Sequence, residues 1–182
     1  MLWNEILAQI ISGLALLIGV ASYFVDKKNY LLFQALTIIG LALSYLLLGE
    51  YFAMLALSVG LGRAFTFYWY EKEKKNAPLV LSFVFAGLTV AAYFIVNFGI
   101  LKTAKYEDIL YLIAMIFFAF TFRIRDLKTL RYVTLIPAGL SVAYGFLSKA
   151  TIFAILAYAL ELVAVIFAIL KYHVFGKEVE GK

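Results

Sequence analysis

Residues 57–70 read LSVGLGRAFTFYWY, in which thirteen uncharged residues surround a single charged one, Arg63. The stretch is apolar enough to lie in the hydrocarbon core of a bilayer, where an arginine at the centre of a span costs roughly 2.5–3.5 kcal/mol on insertion scales. A guanidinium group does not lose its proton in a protein, so deprotonation cannot remove this cost. The fold therefore depends on how many such segments the chain contains, and on whether another of them carries the opposite charge.

The whole chain has a composition similar to that of this stretch. Of its 182 residues, 65% are hydrophobic and 15% are charged, whereas a soluble domain has about 45–50% apolar and about 25% charged residues. A single soluble core of this size cannot bury so many apolar side chains. We therefore predict an all-α polytopic membrane protein with the lipid bilayer as its main partner.

The remaining composition argues against several functions. The basic residues behind the net charge of +5 lie between apolar runs and form no patch, which argues against nucleic acid as a partner. The chain has no cysteine, and its one histidine, His173, lacks neighbours that would complete a metal site. An enzyme is the least favoured class because no nucleophile or metal set is available within the spans, and we predict no cofactor and no metal.

The apolar runs predict seven spans, since about 17–25 apolar residues cross a bilayer as a helix. The fifth run is the weakest because Glu107 and Asp108 shorten it, and a six-span chain is the alternative if it does not cross. The short connections force neighbouring helices to be antiparallel. The predicted spans are residues 6–24, 30–48, 52–70, 78–101, 106–122, 130–147 and 151–174.

The distribution of lysine and arginine predicts the direction of the spans. With seven spans, twelve of the sixteen basic residues lie on the side of the C-terminus, three lie on the side of the N-terminus, and Arg63 lies within a span. Cytoplasmic loops carry the excess of positive charge. We therefore predict a multi-pass protein of the cell membrane with its N-terminus outside and its C-terminus in the cytoplasm.

The sequence contains a weak internal repeat. A shift of 99 residues lays residues 30–50 over residues 129–149. Three spans leave the chain on the opposite face of the membrane, so one extra span between two triplets lets both triplets run in the same direction. The aligned pairs include Gly40 with Gly139, Tyr45 with Tyr144 and Tyr23 with Phe122.

This pattern predicts a 3+1+3 plan of two parallel three-helix bundles joined by a linker helix. Residues 1–76 would form the first three-helix repeat, and residues 77–104 the linker transmembrane helix. Residues 105–182 would form the second repeat and a cytoplasmic tail.

The first three spans carry motifs that resemble a known family. They are AQIISGLALLIGVASY (residues 8–23), a glutamine at position 34, SYLLLGEYFAML (residues 44–55) and GLGR (residues 60–63). These motifs are similar to those of the YgjV-like bacterial inner-membrane proteins, which distantly resemble the SWEET and PQ-loop proteins and the Pnu-type vitamin transporters. The resemblance implies a SWEET-like carrier fold in the inner membrane and supplies no ligand. The chain lacks the proline-glutamine dipeptide of PQ-loop proteins, and only Pro137 corresponds to a hinge proline of SWEETs.

Glu161 is the predicted partner of Arg63. It lies ten residues before Lys171 at the inner end of the seventh span, and Arg63 lies eight residues before Glu71 at the inner end of the third. At about 1.5 Å per residue, the depths of the two charges differ by roughly 3 Å. Facing each other across a hydrated cavity would lower the cost of both charges. Two alternatives stay open, a purely structural ion pair and an arginine whose side chain extends to the inner headgroups.

Polar residues on one face of the second and the sixth span complete the predicted site. Serine and threonine also join membrane helices through hydrogen bonds, so packing is the alternative role for these faces. Gly40 and Pro137 interrupt the two spans at similar positions and are the predicted hinges. The predicted substrate-binding residues are Arg63, Glu161, Tyr45, Tyr144, Gln34 and Ser141.

We therefore predict a transporter, either a facilitator or a proton-coupled carrier, with a central site for a small polar metabolite between the two repeats. Arg63 favours a solute with a carboxylate or a phosphate, and Glu161 could accept a proton. The alternative is a non-transporting seven-helix receptor, sensor or assembly protein. The sequence leaves the identity of the solute and any homo-oligomer open.

Overall fold

The computed structural model describes residues 3–102, 105–148 and 152–171, and every regular element within these ranges is helical. Each of the seven predicted spans corresponds to one helix, so the predicted all-α fold is confirmed. The helices are α1 (Trp3–Ser22), α2 (Lys27–Leu48), α3 (Tyr51–Lys72), α4 (Leu79–Phe94, continued by a π-helix at Ile95–Ile100), α5 (Tyr106–Thr121), α6 (Leu127–Leu147) and α7 (Ile152–Ile169).

Three helices, α1, α2 and α6, begin three residues before the predicted spans, and the sequence explains the early starts of α2 and α6. Asp26 and Asp126 precede these helices, and their carboxylates accept hydrogen bonds from backbone N–H groups of the first turn. Hydropathy marks the part of a helix that suits lipid, whereas the cap marks where the backbone becomes helical. The predicted end of the seventh span, at residue 174, lies outside the described residues.

Within the described residues, five helices are long and apolar enough to cross a bilayer, namely α1, α2, α3, α6, and α4 together with its π-helix. α5 has 16 residues, which agrees with the weakness of its apolar run in the sequence. The apolar part of α7 that the structure describes is Tyr158–Ile169. The protein is therefore a multi-pass membrane protein, and the crossing of all seven helices stays a prediction.

Six of the helices form a closed ring. Going round the ring, α1 packs on α2, α2 on α3, α3 on α5, α5 on α6, α6 on α7, and α7 on α1. α4 packs against α3 and α5. A two-fold axis that relates α1–α3 to α5–α7 would give this order, because the α3–α5 contact corresponds to the α7–α1 contact. Division of the ring into two separate bundles, as in the 3+1+3 plan, stays a prediction.

The ring is apolar on its outside and contains polar side chains within. Large apolar side chains such as Leu17, Phe83 and Val163 are exposed on the outer surface, as expected where lipid covers a protein. A soluble protein has the reverse arrangement, so the interior is the place to look for a polar site. The buried polar and charged residues of the spans include Ser12, Ser22, Gln34, Thr37, Arg63, Thr134 and Ser141.

Helices α1 and α2 approach each other closely at Gly40. A Cβ atom at this position would lie 2.7 Å from the Cβ of Ala15, so only glycine fits there without a shift of the helices. Gly139, the counterpart of Gly40 in the repeat, would place a Cβ in open space. The structure thus gives Gly40 a packing role, and its role as a hinge stays a prediction.

Candidate functional site

A cavity of about 40 Å³ lies within the ring of helices. Its wall is formed by residues of α2, α3, α5, α6 and α7, and most of these residues are apolar or aromatic. The wall also contains one cationic and one anionic side chain, Arg63 and Glu161. The two charges that stand out in the sequence are therefore brought to one site.

Arg63 extends from α3 toward α5. Its buried side chain donates a hydrogen bond from Nη1 to the carbonyl of Met115 at 3.0 Å, and its guanidinium carbon lies 4.7 Å from the centre of the Phe122 ring. A carbonyl oxygen and an aromatic face both stabilise a cation. The Nε atom has no hydrogen-bond partner. The side chain contacts the middle of α5 and so does not extend to the headgroups.

Glu161 enters the cavity wall from α7. Its Oε1 accepts a hydrogen bond from the hydroxyl of Tyr23, the residue that follows α1, at 2.8 Å. The residue is half-buried, with the Gln34 side chain also beside its carboxylate, and it lines a smaller cavity of about 10 Å³ between α1, α2 and α7. The carboxylate is thus fixed by one helix end while part of the residue faces open space.

The two central charges do not form an ion pair with each other. Each has its own neutral partners on another part of the chain, Arg63 at Met115 and Glu161 at Tyr23. The direct ion pair that the sequence left open is therefore absent from this structure, and the site holds two opposite charges on a shared cavity. The ion pairs of the described residues include Lys75 with Glu73, Lys105 with Glu50 and Arg125 with Glu71.

Gln34 and Ser141, two other predicted site residues, also line the cavity. The Gln34 amide donates a hydrogen bond to the hydroxyl of Ser22 at 2.9 Å. The Ser141 hydroxyl donates to the carbonyl of Pro137, one turn earlier in α6, at 2.9 Å. Pro137 lies inside α6 and has no N–H for the helical ladder, and its role as a hinge stays a prediction.

Tyr45 and Tyr144, the predicted site tyrosines, do not line the cavity. The Tyr45 hydroxyl lies 2.5 Å from the hydroxyl of Tyr158, and the Tyr144 ring stacks on that of Tyr111 with the ring centres 4.6 Å apart. Tyr111 and Tyr158 both line the cavity. The two predicted tyrosines thus lie one layer behind the wall and support it, because these neighbours occupy the inner positions.

Sequence reasoning missed Tyr111 and Tyr158. The Tyr111 hydroxyl is buried near Tyr158 but has no partner in hydrogen-bonding geometry. The chain has 13 tyrosines, and nothing in the apolar runs of α5 and α7 distinguishes these two from residues that face lipid. Only the packing of the ring selects them.

Sequence reasoning also missed Tyr23, although the repeat contains a signal for it. The shift of 99 residues aligns Tyr23 with Phe122. Tyr23 contacts Glu161 in α7, and Phe122 contacts Arg63 in α3. In both cases the aromatic residue after the first helix of one repeat meets the charge in the third helix of the other.

Two buried cations join the same two helix ends. Lys27, the first residue of α2, donates from Nζ to the carbonyls of Phe122 at 3.1 Å and Ile124 at 2.7 Å. Arg131, in the first turns of α6, donates from Nη2 to the carbonyl of Tyr23 at 3.2 Å. Since Tyr23 and Phe122 are aligned by the repeat, each half holds the other at the same position. We refer to Lys27–Phe122 and Arg131–Tyr23 as the reciprocal contacts.

The fold and the site define an all-helical, multi-pass membrane protein with two opposite charges on a cavity inside its ring of helices. The chain matches the model of the Imp-YgjV family, described as bacterial inner membrane protein, over residues 6–174, and it belongs to this family. Searches of curated proteins and of solved structures each found no match. The more distant resemblance to SWEET, PQ-loop and Pnu-type proteins stays a prediction.

Proposed function

We propose that the protein is a carrier for a small polar solute and that the cavity between Arg63 and Glu161 is part of its solute site. One observation carries the proposal, namely two opposite charges that line the same cavity without forming an ion pair. Ionisable residues inside membrane helices are expensive and commonly mark the pathways of solutes or ions.

A purely structural role accounts less well for the arrangement. Charges retained for packing are expected to neutralise each other directly, because an unpaired charge in a low-dielectric interior costs on the order of several kcal/mol. Arg63 and Glu161 contact neutral groups instead. Charges that the protein itself leaves uncompensated are suited to bind a charged solute.

The size of the cavity indicates which step of transport this conformation would represent. A volume of about 40 Å³ holds about three water molecules at roughly 10–15 Å³ each, whereas small-molecule pockets have about 300–1,000 Å³. In our proposal this is a closed conformation, and the cavity widens when the two halves of the ring move apart. Either a passive facilitator or a proton-coupled carrier fits this scheme.

The reciprocity of the contacts supports two halves that move relative to each other. Tyr23 and Phe122 are aligned by the repeat; Tyr23 contacts Glu161 and Phe122 contacts Arg63, and Glu161 is aligned with Gly62, next to Arg63. The reciprocal contacts use the same two aligned residues as acceptors, although their donors Lys27 and Arg131 lie five positions apart in the alignment. Parallel repeats about an axis along the membrane normal are a known transporter plan. The asymmetry of lysine and arginine favours the N-terminus outside and the C-terminus in the cytoplasm. We propose no catalytic role, cofactor or metal.

Cysteine labelling tests the proposal directly because the natural chain has no cysteine. In Ser141→Cys the thiol replaces a hydroxyl in the cavity wall, and in the control Ile136→Cys it lies on the exposed outer side of the same helix. A membrane-impermeant thiol reagent is added to right-side-out and to inverted membrane vesicles. A carrier predicts labelling of S141C from both faces and no labelling of I136C from either face.

A non-transporting receptor or sensor is the second candidate, and the small volume of the cavity favours it. A receptor predicts labelling of S141C from one face only. An assembly protein with a packed interior predicts no labelling from either face. Both results would contradict the carrier.

A further inference from the structure

Two hydrogen-bond donors on residues of the cavity wall have no partner. They are Nε of Arg63 and the hydroxyl of Tyr111, and both atoms are buried. Buried polar groups in native proteins are nearly always satisfied, so an unsatisfied pair at a cavity indicates a missing water or ligand. A carboxylate has two oxygens that accept hydrogen bonds, so its chemistry matches two donors.

Glu161 has the opposite requirement. One of its oxygens accepts the hydrogen bond from Tyr23, and the residue is partly accessible. An ionised carboxylate can accept further hydrogen bonds but donates none, and an ammonium group offers three donors. The wall near Glu161 is therefore suited to a cationic group.

Charge balance favours both groups on one solute. Among the residues that line the cavity, Arg63 and Glu161 are the charged ones. A solute with only a carboxylate would compensate Arg63 and leave Glu161 unpaired unless Glu161 bound a proton. A solute with only an ammonium would leave Arg63 unpaired. A zwitterion compensates both charges at once.

We infer that the solute is a small zwitterion whose carboxylate binds Arg63 and the Tyr111 hydroxyl and whose ammonium binds Glu161. The inference rests on the proposed function, because the cavity must widen to admit such a molecule. The inference restricts the class of solute from small polar molecules in general to those that carry both a positive and a negative charge.

The test uses the full-length protein in detergent and a series of ω-amino acids from glycine to 6-aminohexanoate. Each compound is compared with the acid that lacks its amine and with the amine that lacks its carboxyl group. The measured quantity is the concentration that gives half of the maximal rise in melting temperature, since a ligand of the folded state stabilises it. At least one zwitterion should act at a concentration about tenfold below those of both analogues.

Substitutions at Tyr111 and Glu161 test which residue binds the carboxylate of the solute and which binds its ammonium group. Tyr111→Phe should raise the half-maximal concentration of the zwitterion several-fold, while the melting temperature of the empty protein stays the same or rises, because no hydrogen bond is lost. In the control Tyr144→Phe, the altered ring stacks on Tyr111 outside the cavity, and binding should not change. Glu161→Gln should make the plain acid at least as effective as the zwitterion.

Equal effectiveness of the plain acid and the zwitterion on the unmodified protein would overturn the inference, and so would no response to any member of the series. Neither result contradicts the carrier proposal, which is tested separately by the labelling of S141C from both faces. One-sided labelling together with selective binding of a zwitterion would keep the inference and replace the carrier by a receptor.

Discussion

At the scale of single residues, the account depends on which buried hydroxyl groups have partners. Tyr23 and Tyr30 are both buried, and their ring centres are 5.6 Å apart. Tyr23 donates a hydrogen bond to Glu161, whereas the Tyr30 hydroxyl lies near Tyr23 and Thr134 but has no partner in hydrogen-bonding geometry. The two residues form a matched pair, because the hydroxyl oxygen can be removed from either one with a different expected effect on stability.

Tyr23→Phe should lower the free energy of unfolding by about 1–3 kcal/mol, because Glu161 then lies in the interior without its donor. Tyr30→Phe should leave it within about 0.5 kcal/mol of the unmodified protein or raise it, because no bond is broken. Unfolding in mixed micelles with increasing SDS measures both values. Equal losses in the two variants would show that Tyr23 contributes only its ring.

At the scale of helices, two glycines that the repeat aligns differ in how closely another helix approaches them. Gly40 in α2 and Gly139 in α6 are aligned by the repeat, but only Gly40 lies against another helix. Alanine favours a helix over glycine by about 1 kcal/mol, so the same substitution should act in opposite directions at the two sites.

Gly40→Ala should destabilise the protein by about 1–3 kcal/mol, because its Cβ would lie 2.7 Å from the Cβ of Ala15. Gly139→Ala, the control, should leave stability unchanged or raise it. The double variant A15G/G40A moves the methyl group to the other helix and should recover most of the loss. Thermal unfolding in detergent measures all three, and no recovery in the double variant would contradict a contact between α1 and α2 at this point.

The helices themselves follow from the sequence, and the cavity wall does so only in part. Apolar runs locate each helix because its length must match a bilayer, and Asp26 and Asp126 could have corrected two starts. Four residues of the wall can be recognised from the sequence, because a polar side chain within an apolar run is costly in lipid and therefore indicates an interior position. They are Arg63, Glu161, Gln34 and Ser141. Tyr111 and Tyr158 cannot be recognised in this way, because a tyrosine suits both lipid and protein surroundings. Only the rotation of α5 and α7 about their own axes decides which side each tyrosine faces.

At the scale of the whole molecule, the reciprocal contacts hold the two halves together at one end. Lys27 and Arg131 each donate to a carbonyl after the first helix of the other half. The distribution of basic residues predicts that this end faces the cytoplasm. A carrier that opens toward the cytoplasm must separate these contacts.

Lys27→Met should therefore increase the labelling rate of S141C from the cytoplasmic face by about tenfold or more, because both charge-assisted hydrogen bonds of Lys27 are lost. Methionine keeps the apolar stem of Lys27 and removes its donors. Lys28→Met is the control, because Lys28 is the exposed neighbour with the same charge. Equal acceleration in both variants would mean that net charge, and not the contact with Phe122, sets the rate.

The direction of the chain can be tested with reporter fusions. Alkaline phosphatase, which is active only outside the cytoplasm, should be active when fused after Glu50 and inactive when fused after Lys75. A green fluorescent protein fused to the C-terminus should fluoresce. Activity after Lys75 would contradict the orientation that the basic residues predict.

The central claim is that Arg63 and Glu161 act on one shared aqueous cavity. The most direct measurement compares the rates at which a cationic and an anionic thiol reagent of equal size react with S141C. The ratio of cationic to anionic rates is determined in S141C alone, with Arg63→Gln and with Glu161→Gln. We predict that Arg63→Gln raises this ratio and Glu161→Gln lowers it, each by about tenfold. A ratio that responds to only one of the two substitutions, or to neither, would contradict the claim.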